Sequence, residues 1–214
     1  LSVEEIKRGV EERLRYDEFE WIKSHPELRY KSKTLAEGLE NILVRCPKCK
    51  QKYSIVTNNR TVYCEKCGLS LKLDDRYSFE KNDYFENFAD WYDWQMAEIS
   101  REISGNADYT LESKVELKMP SLDGGTMLRD AGSGVCSLNR DGLTYRGTKD
   151  GEDFEIHFPT AKIYRLLFGA GIDFEVYQGK DIYFFVPEIK KSCVEWYMTS
   201  IIFYDGYSEN GGDS

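Results

Sequence analysis

The stretch Cys46-Pro47-Lys48-Cys49 is followed, after fourteen intervening residues, by Cys64-Glu65-Lys66-Cys67. Two CxxC turns at this separation are typical of a zinc ribbon, because each short turn lets two thiolates converge on one ion. The pattern predicts one tetrahedral zinc in preference to disulfides or an iron–sulfur cluster. Its ligands would be Cys46, Cys49, Cys64 and Cys67.

The expected role of this zinc is structural. A catalytic zinc keeps one coordination position open and usually takes histidine or a carboxylate among three protein ligands. The two histidines, His25 and His157, lie in separate predicted elements. A short cysteine-bounded hairpin buries too little apolar area to fold alone, and zinc binding on the order of 10–16 kcal/mol supplies what the core lacks.

The charge of the chain is distributed unevenly. The net charge over 214 residues is −9. Residues 45–76 carry 8 basic and 3 acidic side chains, whereas residues 77–214 carry 13 basic and 25 acidic ones. A protein that lies along a phosphate backbone normally presents a broad basic face. The distribution therefore argues against a nucleic-acid partner.

Lysines beside the cysteines are candidates for contact with nucleic acid or another anion. The nearest are Lys48, Lys50 and Lys66. The alternative is that these lysines offset the negative charge of a zinc bound by four thiolates and keep the surface soluble. We favour this alternative, because no basic surface elsewhere in the sequence extends the patch.

The predicted fold class is α+β, in five consecutive segments. Capping boxes of the S-x-x-E form at Ser2 and of the T-x-x-E form at Thr34 predict helices in the first segment. The second segment would turn a hairpin around Asn58-Asn59. A helix starting near Asn87 or Asp90 is expected in the third. The segments are 1–44 (helical), 45–76 (zinc ribbon), 77–108 (aromatic, acidic helical linker), 109–206 (β-barrel and C-terminal helix) and 207–214 (disordered tail).

From about residue 109 the hydrophobic period changes to two, which indicates strands separated by Gly- and Asp-containing turns. A final amphipathic segment, 187–204, is predicted to be a helix. Antiparallel strands followed by one helix are the order of a pleckstrin-homology-like (PH-like) or GRAM-like barrel. The predicted strands are 114–119, 126–129, 134–138, 143–146, 153–158, 162–168, 173–177 and 182–186.

Motifs for catalysis are missing from the sequence. It contains no Gly-rich phosphate loop, nucleophile elbow or HExxH motif. Acyl transfer to glycerolipids commonly uses an HxxxxD pair, but Tyr30 follows His25 and Lys162 follows His157 at that spacing. The remaining cysteines, 136 and 193, lack a neighbouring histidine and are predicted to be buried, inert thiols.

Four stretches resemble the region that follows the acyltransferase domain in Firmicutes proteins of the 1-acyl-glycerol-3-phosphate acyltransferase-like group. They are LAEGLENILVRCPKC (35–49), VYCEKCG (62–68), FADWYDWQ (88–95) and GLTYRGTKDGEDFEIHFP (142–159). The resemblance implies zinc at the four cysteines. It also implies a parent enzyme of phospholipid biosynthesis that transfers an acyl chain to a lysophospholipid at the inner membrane face.

The hypothesis from sequence is a non-catalytic accessory region with a structural zinc, attached to a lysophospholipid acyltransferase domain missing from this chain. The start at Leu1, without an initiator methionine, suggests a fragment. Expected partners are that catalytic domain or another protein, and the membrane surface. The alternatives are a zinc-ribbon nucleic-acid-binding or regulatory protein and a PH-like lipid- or protein-binding module. Cysteine use indicates a reducing cytoplasm, and the expected location is cytoplasmic or peripheral at the inner membrane face.

Overall fold

The structure is a computed structural model that describes residues 2–14, 16–121, 125 and 127–209. It is mixed α+β, with antiparallel sheets, as predicted. Helices are α1 (Val3–Leu14), α2 (Glu18–Ser24), α3 (Phe88–Gly105) and α4 (Cys193–Glu209). Strands are β1 (Ile55–Asn58), β2 (Thr61–Cys64), β3 (Ser70–Lys72), β4 (Leu111–Pro120), β5 (Leu128–Asn139), β6 (Gly142–Lys149), β7 (Glu152–Pro159), β8 (Leu167–Gly169), β9 (Asp173–Gln178) and β10 (Asp181–Pro187).

Strands β1 to β3 form a small antiparallel sheet, which we call the ribbon sheet. The predicted hairpin joins β1 to β2, and Asn58 pairs with Thr61 at its end. Asn59 has φ of 54°, a left-handed conformation that asparagine tolerates better than most residues. Cys46 and Cys49 precede β1, and Cys64 is the last residue of β2, so the hairpin sets the distance between the two cysteine pairs.

Strands β4 to β10 form a seven-stranded antiparallel sheet in the order β7-β6-β5-β4-β10-β9-β8. Strand β4 pairs with both β5 and β10, so it joins one four-stranded meander to one three-stranded meander. Among the described residues, β7 and β8 are the outer strands and do not pair with each other. The predicted closure into a barrel is therefore not confirmed.

The buried apolar side chains form two clusters. The ribbon core consists of Leu35, Ala36, Leu39, Leu43, Cys46, Ile55, Val62, Cys64, Leu69, Leu71, Leu73, Phe79 and Trp91. The sheet core contains side chains of the large sheet together with Val194, Trp196 and Met198 of α4. Helix α3 contributes to both cores, because Trp91 packs in the ribbon core and Ile99 and Ile103 pack in the sheet core.

The N-terminus of α3 follows the sequence signal closely. Asn87 is the N-cap, and its side chain accepts hydrogen bonds from the backbone N–H groups of Ala89 and Asp90. The Asp90 carboxylate in turn accepts from the Asn87 backbone N–H, which completes a capping box. Both predicted candidates for the start of this helix are thus used together.

The helix predicted from Thr34 does not form. Residues 35–38 are turns, and only Leu39–Asn41 forms a short 3-10 helix. The reason is Gly38, whose φ of 96° lies in the left-handed region and cannot continue a right-handed helix. The apolar residues that suggested a helical stripe, Leu35, Leu39 and Leu43, instead enter the ribbon core from an irregular segment.

Several predicted boundaries in the second half also differ from the structure. Strand β5 runs from Leu128 into the predicted strand 134–138, and Thr126, the predicted start of strand 126–129, lies outside the described residues. Only Leu167 and Phe168 of the predicted strand 162–168 are in β8. Helix α4 starts at Cys193 and reaches Glu209, inside the predicted disordered tail; residues 210–214 lie outside the described residues.

Candidate metal centre

The four predicted cysteines come together at one end of the ribbon sheet. Their Sγ atoms all lie within 4.8 Å of one another. The Cys46 and Cys67 sulfurs are 3.6 Å apart, and those of Cys49 and Cys64 are 3.7 Å apart. These distances exceed a disulfide bond of about 2.05 Å, and all four cysteines are free. The four side chains could hold a metal ion.

The geometry fits a tetrahedral thiolate site. Metal–sulfur bonds of about 2.3 Å at tetrahedral angles place sulfurs about 3.8 Å apart, which is close to the observed separations. Cys46 and Cys64 are buried, whereas Cys49 and Cys67 are partly exposed. An ion held there would lie at the edge of the ribbon core, with protein sulfur in all four positions.

The two CxxC turns are built alike. The Lys50 N–H donates to the Cys46 carbonyl at 2.9 Å, and the Gly68 N–H donates to the Cys64 carbonyl at 3.0 Å. Lys50 and Gly68 follow the second cysteine of each pair, and both are left-handed, with φ of 64° and 70°. Each turn thus needs a left-handed residue directly after its second cysteine.

Hydrogen bonds and burial act differently on the pKa values of Cys64 and Cys46. Burial alone would raise the pKa of Cys64, but the Ser54 hydroxyl and the backbone N–H of Cys67 lower it to about 6. Burial raises the pKa of Cys46 to about 12, against backbone N–H groups that favour its thiolate. Metal binding must therefore displace a proton from Cys46.

Replacing Gly68 by alanine is expected to lower the free energy of unfolding by about 1 kcal/mol, because alanine is strained in the left-handed region. A Cβ built on Gly68 has no heavy atom within 4 Å, so the cost would come from the backbone alone. Gly105→Ala is the matched control: its Cβ is equally uncrowded, and its site is helical, where alanine is preferred. Urea unfolding of the metal-loaded proteins measures both. Equal effects of the two substitutions would contradict the prediction.

Helix α3 fixes the segment that leads into the first cysteine. The Gln95 side chain is fully buried. Its carbonyl oxygen accepts from the Val44 N–H at 2.9 Å, and its amide donates to the Ile42 carbonyl at 2.6 Å. The Trp91 indole N–H donates to the Arg45 carbonyl at 2.8 Å. These bonds hold the residues immediately before Cys46 against α3.

Basic side chains of the ribbon segment pair with acidic side chains of α3. The Arg45 guanidinium is 4% exposed and binds the Glu102 carboxylate with two nitrogens, at 2.6 and 2.8 Å. Lys50 lies 3.4 Å from Glu98 and 4.2 Å above the ring centre of Trp94. The pKa of Glu102 is lowered, and the hydrogen bond from Arg45 is the largest cause. The positive charge of 45–76 is thus partly met within the chain.

A buried carboxylate joins the ribbon segment to helix α4. Glu195, in the first turn of α4, is 0% exposed. It accepts hydrogen bonds from the Lys52 ammonium, at 2.6 Å, and from the Tyr53 hydroxyl. Burial would lower the pKa of Lys52, but the negative charge of Glu195 raises it. Burial raises the pKa of Tyr53, as does the Glu195 carboxylate. No local pattern in the sequence indicates that Lys52, Tyr53 and Glu195 meet.

The lysines proposed for anion contact have different surroundings. Lys48 and Lys66 are exposed beside the cysteines, whereas Lys50 is paired with Glu98 and Trp94. Farther along the ribbon, Lys72 lies 2.6 Å from the Glu80 carboxylate. The structure therefore leaves Lys48 and Lys66 exposed at the cysteine cluster, whereas Lys50, with 52% of its side chain exposed, contacts Glu98 and Trp94 of α3.

The histidines and the remaining cysteines lie apart from the cluster. His25 ends α2 and stacks on Trp21, and the His157 ring is 2.9 Å from the Thr144 hydroxyl on the neighbouring strand. Cys136 and Cys193 are buried, and burial raises the pKa of each thiol. The prediction that these two thiols are buried is confirmed.

No protein-family model, no curated protein and no solved structure matches the chain. Within the part of the chain that the structure describes, no helix is both long and apolar enough to cross a bilayer.

Proposed function

We propose that the chain is a non-catalytic accessory module in which four cysteines hold a structural zinc. The observation that carries this proposal is the convergence of four thiols at separations suited to a filled tetrahedron. Such a shell keeps no position for a reacting water. Zinc is favoured over iron because a lone all-cysteine tetrahedron in a two-turn ribbon is the usual structural zinc site.

The large sheet is proposed to be a PH-like domain. Two features support this assignment: strand β4 belongs to the four-stranded meander β4–β7 and pairs with β10 of the three-stranded meander β8–β10, and helix α4 follows these strands in the sequence. The ring of Trp196, on that helix, stacks on Phe174 of β9 at 4.5 Å, so the helix covers one face of the sheet.

The proposed partner is a lysophospholipid acyltransferase domain, as the sequence resemblance implies. A nucleic-acid partner has less support, because Arg45, Lys50 and Lys52 are paired with carboxylates inside the chain. Binding to anionic lipid has less support as well, because residues 77–214 carry 25 acidic and 13 basic side chains.

The test uses the purified, zinc-loaded chain. With 1-acyl-glycerol-3-phosphate and an acyl thioester it is expected to form no diacyl product. With the separately purified catalytic domain of a 1-acyl-glycerol-3-phosphate acyltransferase of the resembled group it is expected to form a complex, measured by calorimetry. Acyl transfer by the chain alone would overturn the non-catalytic role. No complex would remove the assigned partner and leave the structural zinc, which metal analysis tests separately.

A further inference from the structure

A cavity of about 560 Å³ lies between helix α2 and the ribbon core, away from the cysteines. Four aromatic rings, four aliphatic side chains and two carboxylates line it. Among the described residues, no lysine, arginine or histidine contributes to the lining. The rings are those of Phe19, Tyr30, Tyr77 and Phe88, and the carboxylates are those of Glu18 and Glu37.

The four rings form a continuous wall in which neighbours are nearly perpendicular. Phe19 meets Phe88 at 5.1 Å and 75°, Phe88 meets Tyr77 at 5.9 Å and 75°, and Tyr77 meets Tyr30 at 4.5 Å and 77°. Because neighbouring rings are turned by 75–77° from one another, the faces of the four rings point in different directions. The faces carry the negative part of the ring quadrupole and attract a cation within about 6 Å.

The charge of the cavity has one sign. Glu18 and Glu37 are exposed at its edge, and aliphatic side chains such as Leu35 and Leu39 are buried behind it. The Glu18 carboxylate accepts a hydrogen bond from the Tyr30 hydroxyl and raises the pKa of Tyr30 to about 12. The tyrosine is therefore neutral at physiological pH, and the carboxylates at the edge attract positive charge.

Two neighbouring residues hold this wall in place. The Arg76 guanidinium donates to the carbonyl groups of Pro26, at 2.9 Å, and of Ile22, which fixes the end of α2 against the ribbon. Tyr77 has φ of 61°, a left-handed conformation that is unfavourable for a bulky residue. The Asp74 carboxylate accepts the N–H groups on either side of Tyr77, from Arg76 and Ser78, at 2.7 and 3.0 Å. The ring wall is thus built before any ligand binds.

We propose that this cavity binds a small quaternary ammonium cation. The ring faces would contact the positively charged methyl groups, the aliphatic side chains would accept the apolar surface of the ligand, and Glu18 and Glu37 would supply the opposite charge. An ammonium with alkyl groups suits such a site better than a metal ion, because it has no tight hydration shell to remove. An anionic ligand would be repelled by both carboxylates.

The experiment titrates choline into the zinc-loaded full chain at constant ionic strength, with nuclear magnetic resonance as the readout. The neutral isostere dimethylbutanol, in which carbon replaces the charged nitrogen, is titrated in parallel. Choline is expected to bind roughly tenfold more tightly than the isostere, since a desolvated cation–π contact contributes about that factor. Equal affinities would reduce the site to an apolar cavity and overturn the proposal, as would no choline-dependent shift of residues around the four rings.

Variants separate recognition of the charge from the fold. Tyr77→Leu and Phe19→Leu keep apolar volume but remove a π face, so each is expected to lower the preference for choline over the isostere several-fold. Glu18→Gln keeps an acceptor for Tyr30 and is expected to weaken choline binding only. Tyr84→Leu is the matched control, because Tyr84 lies in the same loop as Tyr77 but does not line this cavity. An unchanged preference in both leucine variants, with zinc content and unfolding midpoint retained, contradicts the proposal.

Discussion

Replacing Cys46 by serine is expected to abolish stoichiometric metal binding and to unfold the ribbon. Cys46 is fully buried, and its sulfur lies 3.6 Å from that of Cys67. A structural zinc contributes on the order of 10–16 kcal/mol to small domains, whereas the whole stability of a protein is about 5–15 kcal/mol. Loss of one thiolate therefore removes more free energy than the ribbon core can replace.

Metal analysis and hydrogen exchange measure this effect together. The unsubstituted protein is expected to contain about one zinc per chain. In Cys46→Ser the backbone amides of residues 42–73 are expected to lose their protection against hydrogen exchange. Cys193→Ser is the control, because Cys193 is also buried but belongs to α4 and the sheet core region. It should keep its zinc. A Cys46→Ser protein with full zinc content and native protection would refute the structural role.

The second large effect is expected from Lys52→Met, which leaves the Glu195 carboxylate buried without its cation. Removing one partner of a buried ion pair typically costs about 3–5 kcal/mol, because the remaining charge stays away from water. Lys72→Met provides a matched comparison. Lys72 lies 2.6 Å from Glu80, the same separation as Lys52 from Glu195, but its side chain is 55% exposed and that of Glu80 is 52% exposed. Its loss should cost about 0–1 kcal/mol.

A double-mutant cycle distinguishes the lost pair from lost packing. Lys52→Met combined with Glu195→Gln removes both charges, so the double variant is expected to be less destabilised than the sum of the two single variants. Urea unfolding of the four proteins measures the coupling. Additive effects, or equal costs at Lys52 and Lys72, would show that the buried pair does not hold the ribbon against α4.

The sequence was most informative where structure depends on near neighbours. The CxxC pairs and the start of α3 near Asn87 or Asp90 both depend on residues within three positions of each other. The structure brings the four cysteines together and starts α3 directly after Asn87. The Thr34 motif has the same local form, but the left-handed conformation of Gly38 stops a helix there. A start signal alone does not show how far a helix can continue.

Long-range contacts could not be predicted in the same way. Lys52 and Glu195 are 143 residues apart, and a single sequence carries no signal that pairs them. The aromatic cavity combines Phe19, from the predicted segment 1–44, with Tyr77 and Phe88, from the predicted segment 77–108. The excess of positive charge at 45–76 and of negative charge at 77–214 was visible in the sequence. The sequence did not show that some of these opposite charges pair with each other inside the protein.

Helix α3 connects the aromatic cavity, the ribbon core and the sheet core. Phe88 at its first turn lines the aromatic cavity, Trp91 packs in the ribbon core, and Ile99 and Ile103 pack in the sheet core. If metal binding shifts one end of this helix, it also changes the free energy of ligand binding at the other end. By thermodynamic reciprocity, any ligand that tightens the metal-bound position of α3 is itself bound more tightly when the metal is present, by the same factor.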